Sequence, residues 1–423
     1  MASGRRLAVL VVALALVGAP AVALRALCVG KSCAQEGIAG AAPIPFCPLP
    51  AALREQIVAG YRQGRSPDVM GTTNVPMVGW PWVGYTSDQN AAPIMFFGKG
   101  IFGGRLPNDV GLDQIAPTIA ELMDFRRAHP EVRSGAPISD VVHNGPPPPL
   151  VVEIVWTGVG TASFNPAGTP WLTDHDLHGA WTYNATTGSL PTDPAAVLTT
   201  IGTGGLPSQH GITGTFIRGK DGAPARAWGL DAPTSIIATL GDDWDHATAQ
   251  SARIGLVAPT SSDRGLIGGT WYLDGDRDDV LLGASDVVDA VGQLLAAGYG
   301  ADTTTDILGV ALGGGAQGMD KHTGQIVEMV RRLVPDAVFV LTATGAQTGG
   351  SGPSIADGVD AAVGAPVVAA VSGGLFLNQQ VMATTGITSD EVVLAMDSLD
   401  APNGDPLFAD AYPGFAVSFS RYC

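Results

Sequence analysis

The chain reads as an α/β protein with a mostly parallel sheet covered by helices on both faces, and three observations predict that class. Leu150-Val151-Val152-Glu153-Ile154-Val155-Trp156 is a nearly continuous apolar run, the pattern of a strand buried on both faces. Strand patterns at 254–257, 307–312 and 337–341 alternate with helical patterns at 233–240, 286–297 and 324–334, as parallel strands joined by crossover helices require. The stretch Gly345-Ala346-Gln347-Thr348-Gly349-Gly350-Ser351-Gly352 is too flexible for an element interior. It follows a strand pattern as a loop, which is where α/β sheets place their sites.

Upstream, residues 51–64 read as a helix entered from Pro50, with Leu53, Ile57, Val58 and Tyr61 on one face. An extended piece at 66–70, a strand at 93–97, a turn at 98–104 and a helix at 112–125 follow, the last burying Ile115, Ile119, Leu122 and Phe125. Residues 139–149 end in Pro146-Pro147-Pro148-Pro149 and read as a linker, because proline supports neither a helix interior nor a sheet ladder. The chain therefore divides into residues 1–23, 24–138, the linker 139–149 and a main core at 150–423. The upstream strands are too few to bury a core of their own, so they are expected to join the main sheet.

Composition bounds the function. With 423 residues, 46% hydrophobic and 14% charged, the chain is long and apolar enough to fold. A net charge of −17 excludes nucleic acid as a default partner, since a phosphate backbone requires a basic surface. Arg5 and Arg6 precede an apolar run from Leu7 and the small residues Ala21-Val22-Ala23. That arrangement fits an export signal cleaved after Ala23 or an uncleaved membrane anchor, and either places the bulk outside the cytoplasm, secreted or in the cell envelope. Cys28, Cys33, Cys47 and Cys423 form an even set without metal spacing. Disulfides are expected in an oxidising compartment, with at least one tying the N-terminal segment to itself or to the C-terminus.

Thr192-Asp193-Pro194 leads into a helical pattern at 195–201. A Thr or Asp at that place is an N-cap, and a Thr hydroxyl there also faces the helix N-terminus, where backbone N–H groups stabilise a phosphate. Thr192-x-Pro194, Thr203-Gly204 and Pro207-Ser208-Gln209-His210-Gly211-Ile212 together resemble the alkaline phosphatase superfamily, in its phosphodiesterase and nucleotide pyrophosphatase branch. Ser66-Pro67-Asp68-Val69, Ala92-Pro93-Ile94-Met95-Phe96-Phe97-Gly98 and Asp113-Gln114-Ile115-Ala116-Pro117-Thr118 resemble that family's C-terminal part. The segments stand in inverted order, as in a circular permutation. The resemblance implies Thr192 as nucleophile, His210 and Thr215 at the substrate, a small phosphorylated substrate and, for an active enzyme, divalent metal such as zinc. The inverted order also implies that the new ends lie together, with Cys47 bonded to Cys423 and Cys28 to Cys33. The competing pairing joins Cys47 to Cys28 or Cys33.

The sequence departs from the family where metal ligands belong. Thr157 follows the first strand, Gly313-Gly314-Gly315-Ala316 follows the strand at 307–312, and Thr342-Ala343-Thr344-Gly345 follows the strand at 337–341. Thr86-Ser87-Asp88-Gln89-Asn90 precedes Pro93, and Thr215 replaces the branch's phosphate-binding Asn. Outside the resemblance, His175 and His178 stand three apart and Asp242-Asp243 opens a helical pattern, where acids favour the macrodipole. Asp274-Gly275-Asp276 reads as a turn, and Asn184-Ala185-Thr186 as a glycosylation sequon. Two functions follow: phosphoester or phosphodiester hydrolysis by Thr192, or a catalytically silent member of the fold acting as a binding or structural protein of the envelope. Membrane association through the N-terminal helix is expected only for the uncleaved form.

Overall fold

The structure is a computed structural model and describes residues 46–73, 82, 90–174, 179–269, 271–273, 278–347, 354–401 and 404–423. Its frame is an eight-stranded sheet ordered β11-β10-β12-β6-β13-β2-β7-β4. The strands are β2 (Ala91–Gly98), β4 (Gly104–Arg105), β6 (Leu150–Trp156), β7 (Gly179–Thr186), β10 (Ile254–Ala258), β11 (Asp279–Leu282), β12 (Asp306–Leu312) and β13 (Val338–Ala343). A second sheet of four antiparallel strands is ordered β14-β15-β1-β16, from β1 (Val69–Thr73), β14 (Val368–Val371), β15 (Leu375–Leu377) and β16 (Phe408–Pro413). Two short ribbons complete the strands, β3 (Ile101–Phe102) with β5 (Val142–His143), and β8 (Phe216–Arg218) with β9 (Pro224–Arg226).

β6 lies between β12 and β13, parallel to both, and every one of its residues is buried. Its apolar run is the consequence: neither face meets water, so no alternation survives. The Trp156 indole N–H donates to Thr323 Oγ1 at 2.9 Å, which puts the even-numbered side chains of β6 against helix α8 (Ala316–Leu333). The opposite face carries Val151, Glu153 and Val155. There Gly309, paired in register with Glu153, lies so close to Leu266 that a β-carbon would stand 2.9 Å from it. The covering helix on that face is α4 (Pro194–Thr203), whose Val197, Leu198 and Ile201 share one apolar core with β6.

β2 comes from before the proline run yet pairs antiparallel with β13 from Ile94↔Thr342 to Gly98↔Val338. It is the one strand of the large sheet that opposes the others, since β7 and β4 run back in the common direction. β1 departs from the expectation that the upstream strands join the main sheet: it pairs instead with β16 and β15 in the second sheet, burying Val69 on one face and Met70 on the other. The proline stretch is fastened to the sheet: Pro149 O accepts Asp306 N–H at 3.0 Å and Pro148 O accepts the Thr305 hydroxyl at 2.6 Å. Cys47 is bonded to Cys423 across 376 residues, and Phe46 packs edge-on against Tyr412 beside it. Cys28 and Cys33 lie outside the described residues. No described helix is long and apolar enough to cross a membrane.

Several element boundaries differ from the sequence expectation. Helix α1 spans Ala51–Gly60 and stops short of residue 64, because the Leu190 backbone crosses at Gly60 so closely that a β-carbon would lie 2.0 Å from its carbonyl oxygen. The expected helix at 233–240 is irregular, and α6 (Leu240–Ala247) begins where that pattern ends. Thr239 and Asp242 cap it reciprocally: Thr239 Oγ1 accepts Asp242 N–H at 3.1 Å, and the carboxylate accepts Thr239 N–H at 2.8 Å. α8 begins eight residues before the expected 324, extended by buried Met319, Asp320 and Thr323. Strands β7, β14, β15 and β16 were not marked by their sequence patterns.

Glu153 is buried in the large sheet, its Oε2 has no hydrogen-bond partner, and burial raises its carboxyl to about 8 against a smaller opposing pull from Arg127. The folded state then holds a proton that the unfolded chain releases in the ordinary Glu range, so this stability is complete at low pH and is lost as pH rises through about 8. Glu153→Gln is expected to remove a slope of up to about 1.4 kcal/mol per pH unit across that window, read as the difference between urea denaturation series of the two proteins. Reduction, or Cys47→Ser, is expected to lower unfolding free energy by about 2–5 kcal/mol in the same assay.

Candidate functional site at the helix α4 N-terminus

Helix α4 is buried along nearly its whole length, so both ends need partners from within the protein. Its N-cap is Asp193, whose Oδ1 accepts Ala195 N–H at 3.0 Å and the Thr215 hydroxyl at 2.9 Å. Oδ2 accepts the Ser372 hydroxyl at 2.7 Å, and Ser372 Oγ in turn accepts Phe216 N–H at 3.1 Å. Gly214 makes the approach possible, because a β-carbon there would stand 2.4 Å from Ser372 Oγ and 3.1 Å from Asp193 Oδ2. Burial raises the Asp193 carboxyl above its ordinary value, and the donors from Thr215, Ser372 and Ala195 offset only part of that rise.

At the other end Gly204 closes α4 in the left-handed conformation. Arg127 Nη1 and Arg133 Nε both donate to Thr203 O, at 2.9 and 3.0 Å. Two guanidinium groups thus meet the negative end of the helix dipole. They share Asp243 Oδ2, at 2.9 Å from Arg127 and 3.1 Å from Arg133, while Tyr272 donates to Oδ1 at 2.9 Å. The Asp242-Asp243 pair therefore caps α6 and neutralises an arginine pair.

Thr192 stands one residue ahead of the N-cap, buried at 5% exposure, and its hydroxyl makes no hydrogen bond among the described residues. Thr215 reaches the same place through Asp193. Asp263 lies close enough for its carboxyl to be raised by burial first and by the Asp193 charge among the later causes, with Arg226 opposing. Arg226 donates to Ser262 Oγ at 3.3 Å and lies over the Phe216 ring. The helix end is thus lined by Thr192, Asp193, Thr215, Arg226, Asp263 and Ser372.

His210 is elsewhere. It is fully buried, its Nδ1 accepts Ile212 N–H at 3.1 Å, and its Nε2 stands 3.1 Å from Thr200 Oγ1. The accepted N–H assigns the proton to Nε2, which donates to Thr200, about 9 Å along the helix from Pro194. Burial and then the Arg65 charge lower its pKa to about 3, so it is neutral at physiological pH. Both ring nitrogens are thus engaged within the fold, by Ile212 and Thr200. The Pro207–His210 turn is a structural corner instead, braced by Arg65 Nη1 donating to Gly211 O and Thr234 O at 3.2 and 2.7 Å.

At the strand ends, the positions where the family resemblance requires metal ligands carry hydroxyls that serve the backbone. Thr157 Oγ1 donates to Leu312 O at 3.0 Å, Thr342 Oγ1 to Pro93 O at 2.6 Å, and Thr344 Oγ1 accepts Gly158 N–H at 2.9 Å. Among the described residues no three His, Cys, Asp or Glu side chains group to hold a metal. Neutral hydroxyls already engaged with backbone groups do not fit a two-zinc centre, which requires carboxylates and imidazoles. His175, Asp176 and His178, the acidic turn at 274–277 and Thr86 to Gln89 lie outside the described residues.

By fold the chain is an α/β protein built on a mostly parallel eight-stranded sheet with helices on both faces. Among solved structures, wild-type alkaline phosphatase PafA is similar over 60% of this chain and 77% of its own length, with a TM-score of 0.38 and 14% sequence identity. No protein-family model matches the chain, and no curated protein matches it.

The sequence pointed to Thr192 and missed Ser372 and Arg226, which arrive from distant segments. Asp193→Ala would leave Ser372 and Thr215 without their acceptor and α4 without its cap. An unfolding free-energy loss of about 3 kcal/mol or more is expected, measured by urea denaturation, with Thr192→Ala costing less than about 1 kcal/mol.

Proposed function

We propose that the chain is an exported binding or structural protein on an alkaline-phosphatase-like scaffold from which the catalytic metal chemistry has been lost. The observation that carries this reading is the fate of the strand-end hydroxyls: Thr157, Thr342 and Thr344 are engaged with backbone groups where a hydrolase of this kind needs charged ligands. The motif resemblance around Thr192 and Pro207 to Ile212 supports the scaffold. The upstream strands β1 and β2, which complete sheets made mostly from later segments, support the permuted order. A disulfide between Cys47 and Cys423 and the apolar N-terminal run with its two arginines support an oxidising compartment outside the cytoplasm.

One observation favours the second reading, phosphoester hydrolysis by Thr192. Its hydroxyl is uncommitted just ahead of a helix N-terminus, a position that attracts a phosphate group. Activation is what it lacks, because the adjacent Asp193 carboxylate is turned to Ala195, Thr215 and Ser372 and makes no hydrogen bond to the Thr192 hydroxyl.

Elemental analysis of the purified protein, combined with p-nitrophenyl phosphate and bis-p-nitrophenyl phosphate assays, separates the two. The silent protein retains no stoichiometric zinc, manganese or iron, and releases nitrophenolate at the buffer rate with or without these metals added. Metal-dependent turnover that disappears in Thr192→Ala would establish the hydrolase in its place.

A further inference from the structure

The 3₁₀ helix Gly414–Tyr422, which follows β16, is apolar on both of its sides. Ala416 and Val417 are buried inward, in one cluster with Phe46, Leu53, Ile57 and Tyr412. On the outer side stand Phe415, Phe419 and Tyr422, exposed at 58%, 45% and 38%. Their rings touch in series: Phe415 and Phe419 meet edge-on with centroids 6.3 Å apart, and Phe419 and Tyr422 lie 6.2 Å apart. A surface helix ordinarily turns charged residues away from its core, so a row of three aromatic rings there marks a contact surface.

Charge and chain continuity both bear on what covers it. Between Gly414 and Cys423 there is no Asp or Glu, in a chain that carries 39 of them, and the one charged side chain is Arg421. Its guanidinium lies over the Tyr422 ring at 4.8 Å. Arg54 donates to Cys47 O at 2.7 Å, and Cys47 is bonded to Cys423, so a second guanidinium stands beside the end of the row. Aromatic rings flanked by arginine suit the headgroup layer of a bilayer, where the rings sit between water and acyl chains and the guanidinium groups stay in the polar layer. The same disulfide holds the row beside the point where residues 1–45 join the body, and these include the apolar run from Leu7 to Leu24 behind Arg5 and Arg6. Residues 25–45 separate that run from Phe46. A chain of this length spans about 25 Å when flexible and about 70 Å at full stretch. A retained apolar run therefore keeps the aromatic row within reach of the bilayer it enters.

We propose that Phe415, Phe419, Arg421 and Tyr422 form a surface that rests on a lipid bilayer, the one that holds the N-terminal run. The inference rests on the export reading above, with that run retained. The three rings enter the interface and Arg421 meets lipid phosphate, so the body is held in one orientation, with the 3₁₀ helix and the disulfide on the lipid side.

The full-length protein is reconstituted into vesicles of phosphatidylcholine and phosphatidylglycerol that include a phospholipid with a diazirine near the glycerol end of its acyl chain. After irradiation, lipid adducts are located by peptide mass spectrometry. Adducts are expected within 415–422 as well as 7–24, while Phe102 and Leu230, exposed at 56% and 98% on other parts of the fold, stay unlabelled. Phe415→Ser combined with Phe419→Ser is expected to lower labelling of Tyr422 about tenfold or more, with the urea midpoint unchanged because both positions are exposed. Adducts confined to 7–24, labelling of Phe102 equal to that of Phe419, or labelling of Tyr422 that the double variant leaves unchanged would each overturn the proposal. A dimer in detergent that the double variant converts to monomer, read by light scattering, would assign the row to a second copy and overturn it too. Absence of adducts from 415–422 and 7–24 alike removes the retained run together with the proposal. Metal content and phosphatase turnover, which test the scaffold reading, are independent of every one of these results.

Discussion

The buried carboxylate of Asp193 ties the two sheets of this protein together. A charge removed from water must be met by donors, and Asp193 meets them from three separate parts of the chain: its own helix, the loop carrying Thr215, and Ser372 in the turn between β14 and β15. α4 packs its apolar side into the core of the large sheet, whereas Ser372 belongs to the small one. One side chain therefore fixes the helix end, the following loop and the relation between the sheets. Such an acid is poorly suited to proton transfer, because moving its proton balance would loosen the contacts that place it.

The N-terminal segment is distributed in the same manner. β1 enters the small sheet and β2 the large one, so neither sheet is complete without residues that precede the proline run. The bond between Cys47 and Cys423 then ties the segment ahead of α1 to the segment that follows β16. Stability gained this way comes chiefly through the unfolded chain, whose freedom the crosslink removes.

Acidic residues in the interior fall into two kinds. Asp193, Asp242, Asp243 and Asp320 are all met by hydrogen-bond donors: Asp243 holds two arginines, and Asp320 accepts Trp171 N–H at 2.7 Å and Leu172 N–H at 3.1 Å. Glu153 and Asp410 each retain an unbonded buried oxygen, and both are raised far above the ordinary carboxylate range. Glu153 faces an apolar layer with Arg127 as its opposing charge, so protonation is its resolution. Asp410 shares its face with the Thr72 hydroxyl, which is likewise unbonded.

Sequence by itself determined the class of fold, the central position of β6 and the sharing of the main sheet by β2. Uninterrupted apolar runs and helical stripes are local signals of burial, and β6, α2 (Ile115–Leu122) and helix α7 (Val287–Ala296) displayed them. It also located the capped helix start at Thr192-Asp193-Pro194, since cap chemistry is local too. β7 escaped because its polar, half-exposed alternation of Trp181, Thr182, Tyr183 and Asn184 resembles a loop. The true ends of α1 and α6 were decided by a crossing backbone at Gly60 and a reciprocal cap at Thr239. Tertiary structure alone decided the roles of the polar residues. Whether His210 meets a substrate or Thr200, and whether Asp193 is reactive or filled by Ser372, depends on partners 10 and 179 residues away. Contacts between segments so far apart in sequence leave no trace in local pattern, because the pattern records which side chains avoid water and not which polar atoms find one another.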